Sequence, residues 1–259
     1  MSTVRIDPGS GEAASACSQA ELLISVVAGL LAGCRHVAVG ESSPIPGAGA
    51  FLASRRSSGA LRVSALGSRT HNMMVNGSVE LFDLAAQGRI DAFFLGGGQI
   101  DVQGNINLVG TGPYPRTDVR WPGSFGSSYL YFLVPRVILF REEHTRRVMV
   151  PRVDFVSAPG VSAPNVYRTG GPYALLTGLG LFMFDKTEQR FRLGSVHPGH
   201  TLEEIRDETG FEFDCPARVD VTAAPDASTL ALIRGEIRSE IAEIYPKFAA
   251  GLGSRLSPE

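Results

Sequence analysis

Four apolar residues, Ala92–Leu95, run without interruption into Gly96-Gly97-Gly98, and the polar turn Gln99-Ile100-Asp101-Val102-Gln103-Gly104-Asn105-Ile106-Asn107 follows at once. A continuous apolar run this short marks a strand buried on both faces, which is how strands of parallel sheets read. Ligands of open α/β sheets gather beyond the carboxyl ends of such strands. Three glycines there let backbone N–H groups approach a bound molecule without interference from Cβ, while Gln99, Asn105 and Asn107 add neutral donors and acceptors. The alternative is a tight strand-to-turn connection that simply needs glycine.

The strand-and-helix rhythm repeats on either side. Ser18 or Gln19 opens a helix carrying Leu22, Leu23, Val26, Val27, Leu30 and Leu31 at intervals of three and four, and Gly33 closes it. His36–Val39 reads as a buried strand that ends in Gly40-Glu41-Ser42-Ser43-Pro44, with a helix through 51–55 beyond it. Residues 61–66 predict a second strand, Gly67-Ser68-Arg69-Thr70-His71-Asn72 a polar loop, and 78–88 a short helix with Leu81 and Leu84 inward. After 92–95 come a strand at 137–140, short extended pieces at 148–150 and 154–156, and a strand plus hairpin near a sheet edge over 173–176, 180–184 and 191–193. Thr201 and Glu204 form a capping box for a helix that stops at Gly210. Residues 228–245 predict one amphipathic helix with Leu230, Ile233, Ile237, Ile241 and Ile244 on a single stripe. Such alternation implies an α/β fold, an open and mostly parallel sheet with helices on both faces. Residues 1–17 lack an apolar period and predict a flexible leader; 18–259 predict a single domain.

A net charge of −2, from 24 basic and 26 acidic residues, supplies no bulk attraction to nucleic acid or anionic lipid, so neither is expected as a partner. The longest apolar stretches, 22–31 and 130–140, are too short or too interrupted to span a bilayer, and the start lacks the order of a secretory signal. A cytoplasmic location is the expectation. Cys17, Cys34 and Cys215 are odd in number and far apart, which argues against both a disulfide framework and a zinc site. No metal is expected.

Three separated motifs carry a resemblance. Gly97-Gly98-Gln99-Ile100-Asp101 with Gly104-Asn105-Ile106-Asn107, then Trp121-Pro122-Gly123-Ser124-Phe125-Gly126-Ser127, then His197-Pro198-Gly199-His200-Thr201 resemble the β subunit of class I coenzyme A transferases, over most of residues 20–215. The first follows that family's G-A-x-Q-x-D-x-x-G-N-x-N pattern. The second follows P-G-x-G-G-A with Phe125 replacing a glycine, and Val39-Gly40-Glu41-Ser42-Ser43-Pro44 follows V-G-x-G-x-P with one glycine lost. The resemblance implies an open α/β sheet, an α-type subunit completing a hetero-oligomer, and a site between the two. It also implies an acyl-CoA thioester as substrate, with coenzyme A as substrate or product and no permanently bound cofactor.

The family's transferases carry a nucleophilic glutamate at the end of the second strand, in an E-N-G or E-S-G motif. Here that segment is Ser64-Ala65-Leu66-Gly67, the best register puts Ala65 at the glutamate position, and no acid lies between Glu41 and Glu80. Alanine forms no acyl intermediate. Three functions remain: a transferase with a displaced carboxylate, Glu41 being the nearby acid at a strand end; an acyl-CoA or ring-cleaving hydrolase, as in the steroid-ring-opening hydrolases that resemble this family, using Glu41 or a partner's carboxylate; and a non-catalytic binding subunit.

Candidate roles follow. Glu41 sits in a loop whose backbone donors can orient a carboxylate and whose apolar walls can raise its pKa; the alternative is a solvated or helix-capping glutamate. Gly97, Gly98 and Gln99 offer amides to a developing thioester oxyanion, with Asn105 and Asn107 beside them. Asp101 reads as a brace for this loop. Gly123, Ser124 and Gly126 suit the pantetheine or thioester region, which Phe125 narrows. Arg69, His71 and Asn72 are placed to bind a carboxylated acyl group, and His71 can serve as a general base, although no partner for it is visible. His197 and His200, beside a proline turn and a helix cap, read as structural, and the run Arg141, Arg146, Arg147 and Arg152, interleaved with Glu142 and Glu143, as a solvated surface or subunit contact.

Overall fold

In the computed structural model of this chain the described residues are 5–6 and 17–253. The expected leader lies outside them apart from Cys17 and a two-residue strand, β1 (Arg5–Ile6). The described residues form two compact units, the first comprising 5–6, Ala85–Gly88 and Phe93–Thr222, the second 17–84, Arg89–Ala92 and 223–253.

The second unit begins with α1 (Gln19–Leu30), opened by Ser18. Ser18 Oγ accepts from the Glu21 amide at 3.3 Å, while Glu21 Oε2 accepts from the Ser18 amide at 2.8 Å, a reciprocal capping box. Strands β2 (His36–Val39) and β3 (Arg62–Ala65) pair in parallel. Between them α2 (Pro44–Arg56) packs so close to α1 that a Cβ on Gly49 would stand 2.3 Å from Val27 Cγ1, an approach only glycine permits. His36 ties the pair of strands: its Nδ1 donates to the Arg89 carbonyl at 3.0 Å, which leaves Nε2 to accept from the Ser64 hydroxyl at 2.8 Å. The chain then passes through α3 (Gly77–Ala86).

In the first unit β4 (Ala92–Leu95) leads into two small antiparallel ribbons, β5 (Gln99–Ile100) with β6 (Ile106–Asn107) and β7 (Gly110–Thr111) with β8 (Val119–Arg120). Then come α4 (Ser127–Leu133), β9 (Arg136–Arg141), β10 (Pro172–Thr177), β11 (Gly180–Asp185), β12 (Arg190–Val196), α5 (Leu202–Glu208) and β13 (Arg218–Val221). Strands run β1-β13-β12-β11-β10-β9-β4 across this unit. The ladders β9–β10, β12–β13 and β13–β1 are parallel, and β10–β11–β12 is an antiparallel meander. This is the expected open, mostly parallel α/β sheet, with Val137, Ile138, Leu139, Ala174, Leu175 and Leu176 fully buried at its centre.

Two local expectations are corrected. The β11–β12 hairpin is interior, because β13 covers it and β1 follows. Strand β13 is four residues with Val219 alone buried, too little pattern to read as a strand. The pieces expected at 148–150 and 154–156 form no strand; Met149 makes one isolated bridge to Ile100.

Thr177 joins two buried histidines. His197 Nε2 lies 3.0 Å from the Thr177 carbonyl, an obligate acceptor, so that nitrogen carries the proton and Nδ1 accepts from the Thr222 hydroxyl at 2.8 Å. The Thr209 hydroxyl donates to the Ile205 carbonyl, so it accepts from His144 Nε2 at 2.9 Å and leaves His144 Nδ1 facing the Thr177 hydroxyl at 2.8 Å. Burial pushes both imidazoles down to about 4. The capping box at α5 is present, Thr201 Oγ1 accepting from the Glu204 amide at 3.1 Å, and His200 pairs with Glu204 at 3.0 Å.

The chain ends in helices of the second unit: α6 (Ala227–Leu232), a π-helical turn at Ile233–Ile237, α7 (Arg238–Ile241) and α8 (Pro246–Gly251). The single helix expected over 228–245 is thus interrupted. Leu230, Ile233, Ile237 and Ile241 still form one buried stripe, Ile244 being half-buried. Pro246 lacks an N–H and forces Tyr245 out of helical geometry, to φ −129° and ψ 68°. Among the described residues no helix is long and apolar enough to cross a membrane, and no group of three or more His, Cys, Asp or Glu side chains is placed to hold a metal ion.

Candidate active site

In the first unit the glycine loop is drawn tight by the protein itself. A Cβ on Gly97 would lie 2.8 Å from the Gln99 carbonyl, and one on Gly98 would lie 2.3 Å from the Trp121 indole. Gly98 also donates its N–H to the Asn107 carbonyl at 2.9 Å. Because Trp121 precedes Gly123 by two positions, this contact brings the tip carrying Gln99 and the tip carrying Gly123 together.

Gln99, Asn105 and Asn107 turn inward. Gln99 Oε1 accepts from Asn107 Nδ2 at 2.7 Å and from the Asp154 amide at 2.9 Å, while Gln99 Nε2 donates to Asp154 Oδ2 at 3.0 Å. Asn107 also donates to the Gly110 carbonyl at 2.7 Å and accepts from the Val109 amide at 2.9 Å. Asn105 donates to Asp101 at 3.0 Å and accepts from the Gly160 amide at 3.0 Å. Asp101 further accepts from the Gln103 and Asn105 amides, both at 3.1 Å, and burial raises its carboxyl above the ordinary value against the pull of these donors. These side chains hold the shape of the loop. Asp154, which also accepts from the Gly112 amide at 2.9 Å, is a member that sequence reasoning missed, since nothing local ties it to Gln99.

At the neighbouring tip Gly123 takes φ +113°, and Phe125 takes φ +41° with its side chain 83% exposed. A bulky residue in the left-handed region is a strained one, and it stands where the family pattern has glycine. Ser124 and Gly126 are half-buried, the Ser124 carbonyl accepting from the Ser127 amide at 2.9 Å and Gly126 leading into α4.

In the second unit Ala65 is buried at the end of β3, its amide donating to the His71 carbonyl at 3.1 Å and its carbonyl accepting from the Ser68 amide at 3.0 Å. Glu41 is exposed, and its Cγ lies 3.6 Å from the point where a Cβ on Gly67 would stand. The loops after β2 and β3 therefore meet with the Glu41 side chain between them. Asn72 spans its own loop, donating to the Leu66 carbonyl at 3.0 Å and accepting from the Met74 amide at 3.0 Å. Arg69 is exposed.

His71, read from sequence as lacking a partner, has one. Its Nε2 lies 3.3 Å from Glu240 Oε1, and its ring meets Phe51 edge-on with centroids 4.8 Å apart. Glu240 also pairs with Arg55 at 3.2 Å. Three residues on, Glu243 accepts from the Ser68 hydroxyl and the Arg69 amide, both at 2.6 Å, and from the Thr70 hydroxyl at 3.2 Å. The Tyr245 hydroxyl accepts from the Ser43 amide at 3.1 Å and faces the carbonyls of Gly40 and Glu41. A cleft of about 1130 Å³ opens beside this helix, lined by Arg55, His71, Arg238, Glu240 and Pro246 among others.

Comparison with known proteins identifies the family. The coenzyme A transferase family model matches residues 17–208. The B-type chain of glutaconate CoA-transferase from Acidaminococcus fermentans is 32% identical over 151 residues, covering 56% of this chain and 56% of that protein. The cholesterol ring-cleaving hydrolase IpdB subunit of Rhodococcus jostii is 33% identical over 159 residues, covering 60% of this chain and 62% of that one. The crystal structure of Rhodococcus jostii RHA1 IpdAB superposes with a TM-score of 0.75 at 28% identity, covering 84% of this chain and 93% of that one. The matched stretches span about three fifths of the length of these two curated relatives. The chain belongs to the coenzyme A transferase family, and within it to the β-subunit type.

Proposed function

We propose that this chain is the β-type half of a hetero-oligomeric, cytoplasmic enzyme acting on acyl-CoA thioesters, completed by an α-type subunit, with residues 18–259 working as one functional domain. Coenzyme A enters as substrate or product and not as a resident cofactor. The reading rests first on Glu41, whose side chain lies beside Gly67, two residues past Ala65 at the end of β3. In a transfer reaction the Glu41 carboxylate attacks the thioester carbonyl and CoA leaves as thiolate, giving an acyl-glutamyl anhydride. The thiolate then attacks the glutamyl carbonyl, releasing the free acid and leaving an enzyme-bound CoA thioester, which the acceptor acid attacks in reverse order.

Within the glycine loop the Gly98 amide is already committed to Asn107, and Gly97 remains the loop's other candidate backbone donor to a thioester oxygen. Gln99, Asn105 and Asn107 act by holding that loop, while Gly123, Ser124 and Gly126 shape the CoA side and Phe125 narrows it. Arg69 offers a fork to a carboxylate on the acyl group, beside His71 and Asn72.

A second reading has its own support. The His71–Glu240 pair is the arrangement a water-activating base needs, which favours hydrolysis, and the IpdB relative is named as a ring-cleaving hydrolase. Kinetics of the assembled complex separate the two. Glu41→Gln should cut transfer by a factor of at least about a thousand if the carboxylate is the nucleophile, a loss comparable to those on removing a principal catalytic group. An unaffected rate would assign the chemistry elsewhere, and a complex that binds acyl-CoA without turning it over would give this chain a binding role alone.

A further inference from the structure

The family match ends at residue 208, yet three side chains from the stretch 240–245 beyond it, at the end of α7 and in the turn before α8, reach the loops after β2 and β3. We propose that Glu243 is a positioning residue for the 67–72 loop, and that with Glu240 and Tyr245 it makes the C-terminal helices the element that sets the geometry of the Glu41 and Arg69 loops. This rests on the reading of those loops as the reaction site.

The 67–72 loop has no helix or strand of its own. Its hub is Ser68 Oγ, which accepts from the His71 amide at 2.8 Å and the Thr70 amide at 3.1 Å, and so has its one proton left to donate to Glu243. The Glu243 carboxylate thereby orders the hydroxyl that orders the loop, and it holds the Arg69 backbone directly. Hydrogen bonds to a charged acceptor are roughly twice as strong as neutral ones. The Ser68 hydroxyl and the Arg69 amide in turn hold the Glu243 carboxyl below the ordinary glutamate value.

One turn of chain places the rest. Glu240 engages the His71 ring, and Ile244 fills the space over Gly67, where a Cβ would stand 3.2 Å from its Cγ2. Tyr245 meets the β2 loop at Ser43, Gly40 and Glu41. Glu41 and Arg69 through their backbone, and His71 through its ring, are thus all held from the short stretch 240–245.

The test compares wild type, Glu243→Gln and Glu243→Ala, each purified with the α-type partner. Hydrogen exchange of the peptide covering 66–72 should quicken by about tenfold in Glu243→Ala and less in Glu243→Gln, which keeps an acceptor for Ser68. With glutaryl-CoA and butyryl-CoA as probes, KM for the carboxylated thioester should rise roughly tenfold in Glu243→Ala while that for butyryl-CoA moves little, a split that general loosening does not produce. Unchanged exchange in both variants, or equal changes for the two thioesters, would overturn the proposal. Inertness of the wild-type complex toward every acyl-CoA would instead strike the functional reading, and the exchange result would still decide whether Glu243 holds the loop.

Discussion

Gly98 and Trp121 are in such close contact that a single methyl group on Gly98 would sit 2.3 Å from the indole. That contact ties the loop after β4 to the loop that carries Gly123. Gly98→Ala must push either the indole or the loop away, at a cost on the order of 1–3 kcal/mol for an overpacked site. Thermal unfolding should show the loss, and Gly98→Ala combined with Trp121→Ala should cost less than the two single changes added together. Additivity would mean the two loops are not coupled through this contact.

Gly123 and Phe125 share a turn but should respond in opposite senses. Gly123 sits at φ +113°, so Gly123→Ala should destabilise by about 1–2 kcal/mol. Phe125→Gly removes a side chain from a left-handed residue at φ +41° and should leave stability level or raise it. Urea denaturation of the two variants checks this; equal losses would show that Phe125 is not strained.

The local signals in the sequence proved sound where partners are close along the chain. The Ser18–Glu21 and Thr201–Glu204 boxes cap their helices, and the run Ala92–Leu95 is a buried strand entering a glycine loop. Contacts between distant residues were not legible. Gln99 answers to Asp154, Ser68 to Glu243 and His71 to Glu240, and no periodicity or spacing announces such pairs. The helix expected over 228–245 is interrupted by the π-helical turn at Ile233–Ile237, which the apolar stripe does not announce, and at its end Pro246 holds Tyr245 out of helical geometry.

The two histidines around Thr177 make stability depend on pH. Above the ordinary histidine value of 6.5 both are neutral in folded and unfolded chain alike, and they contribute no pH dependence. As pH falls below 6.5 the unfolded chain takes up protons that the native chain, with both values down at about 4, does not. Stability should therefore drain away between those limits, by about 3 kcal/mol per histidine on reaching pH 4. Urea midpoints at a series of pH values measure this, and replacing His197 by Asn should flatten the slope. A slope unchanged by that substitution would mean His197 titrates normally in the native state.

Glu41 is the nucleophile proposed for this chain. The direct measurement is hydroxylamine trapping: the assembled complex is incubated with an acyl-CoA and hydroxylamine, digested, and its peptides are sequenced by mass spectrometry. A hydroxamate on Glu41, formed only when the thioester is present, is the expected result. A thioester-dependent hydroxamate on the α-type partner with Glu41 unmodified, or no hydroxamate during rapid turnover, would contradict it.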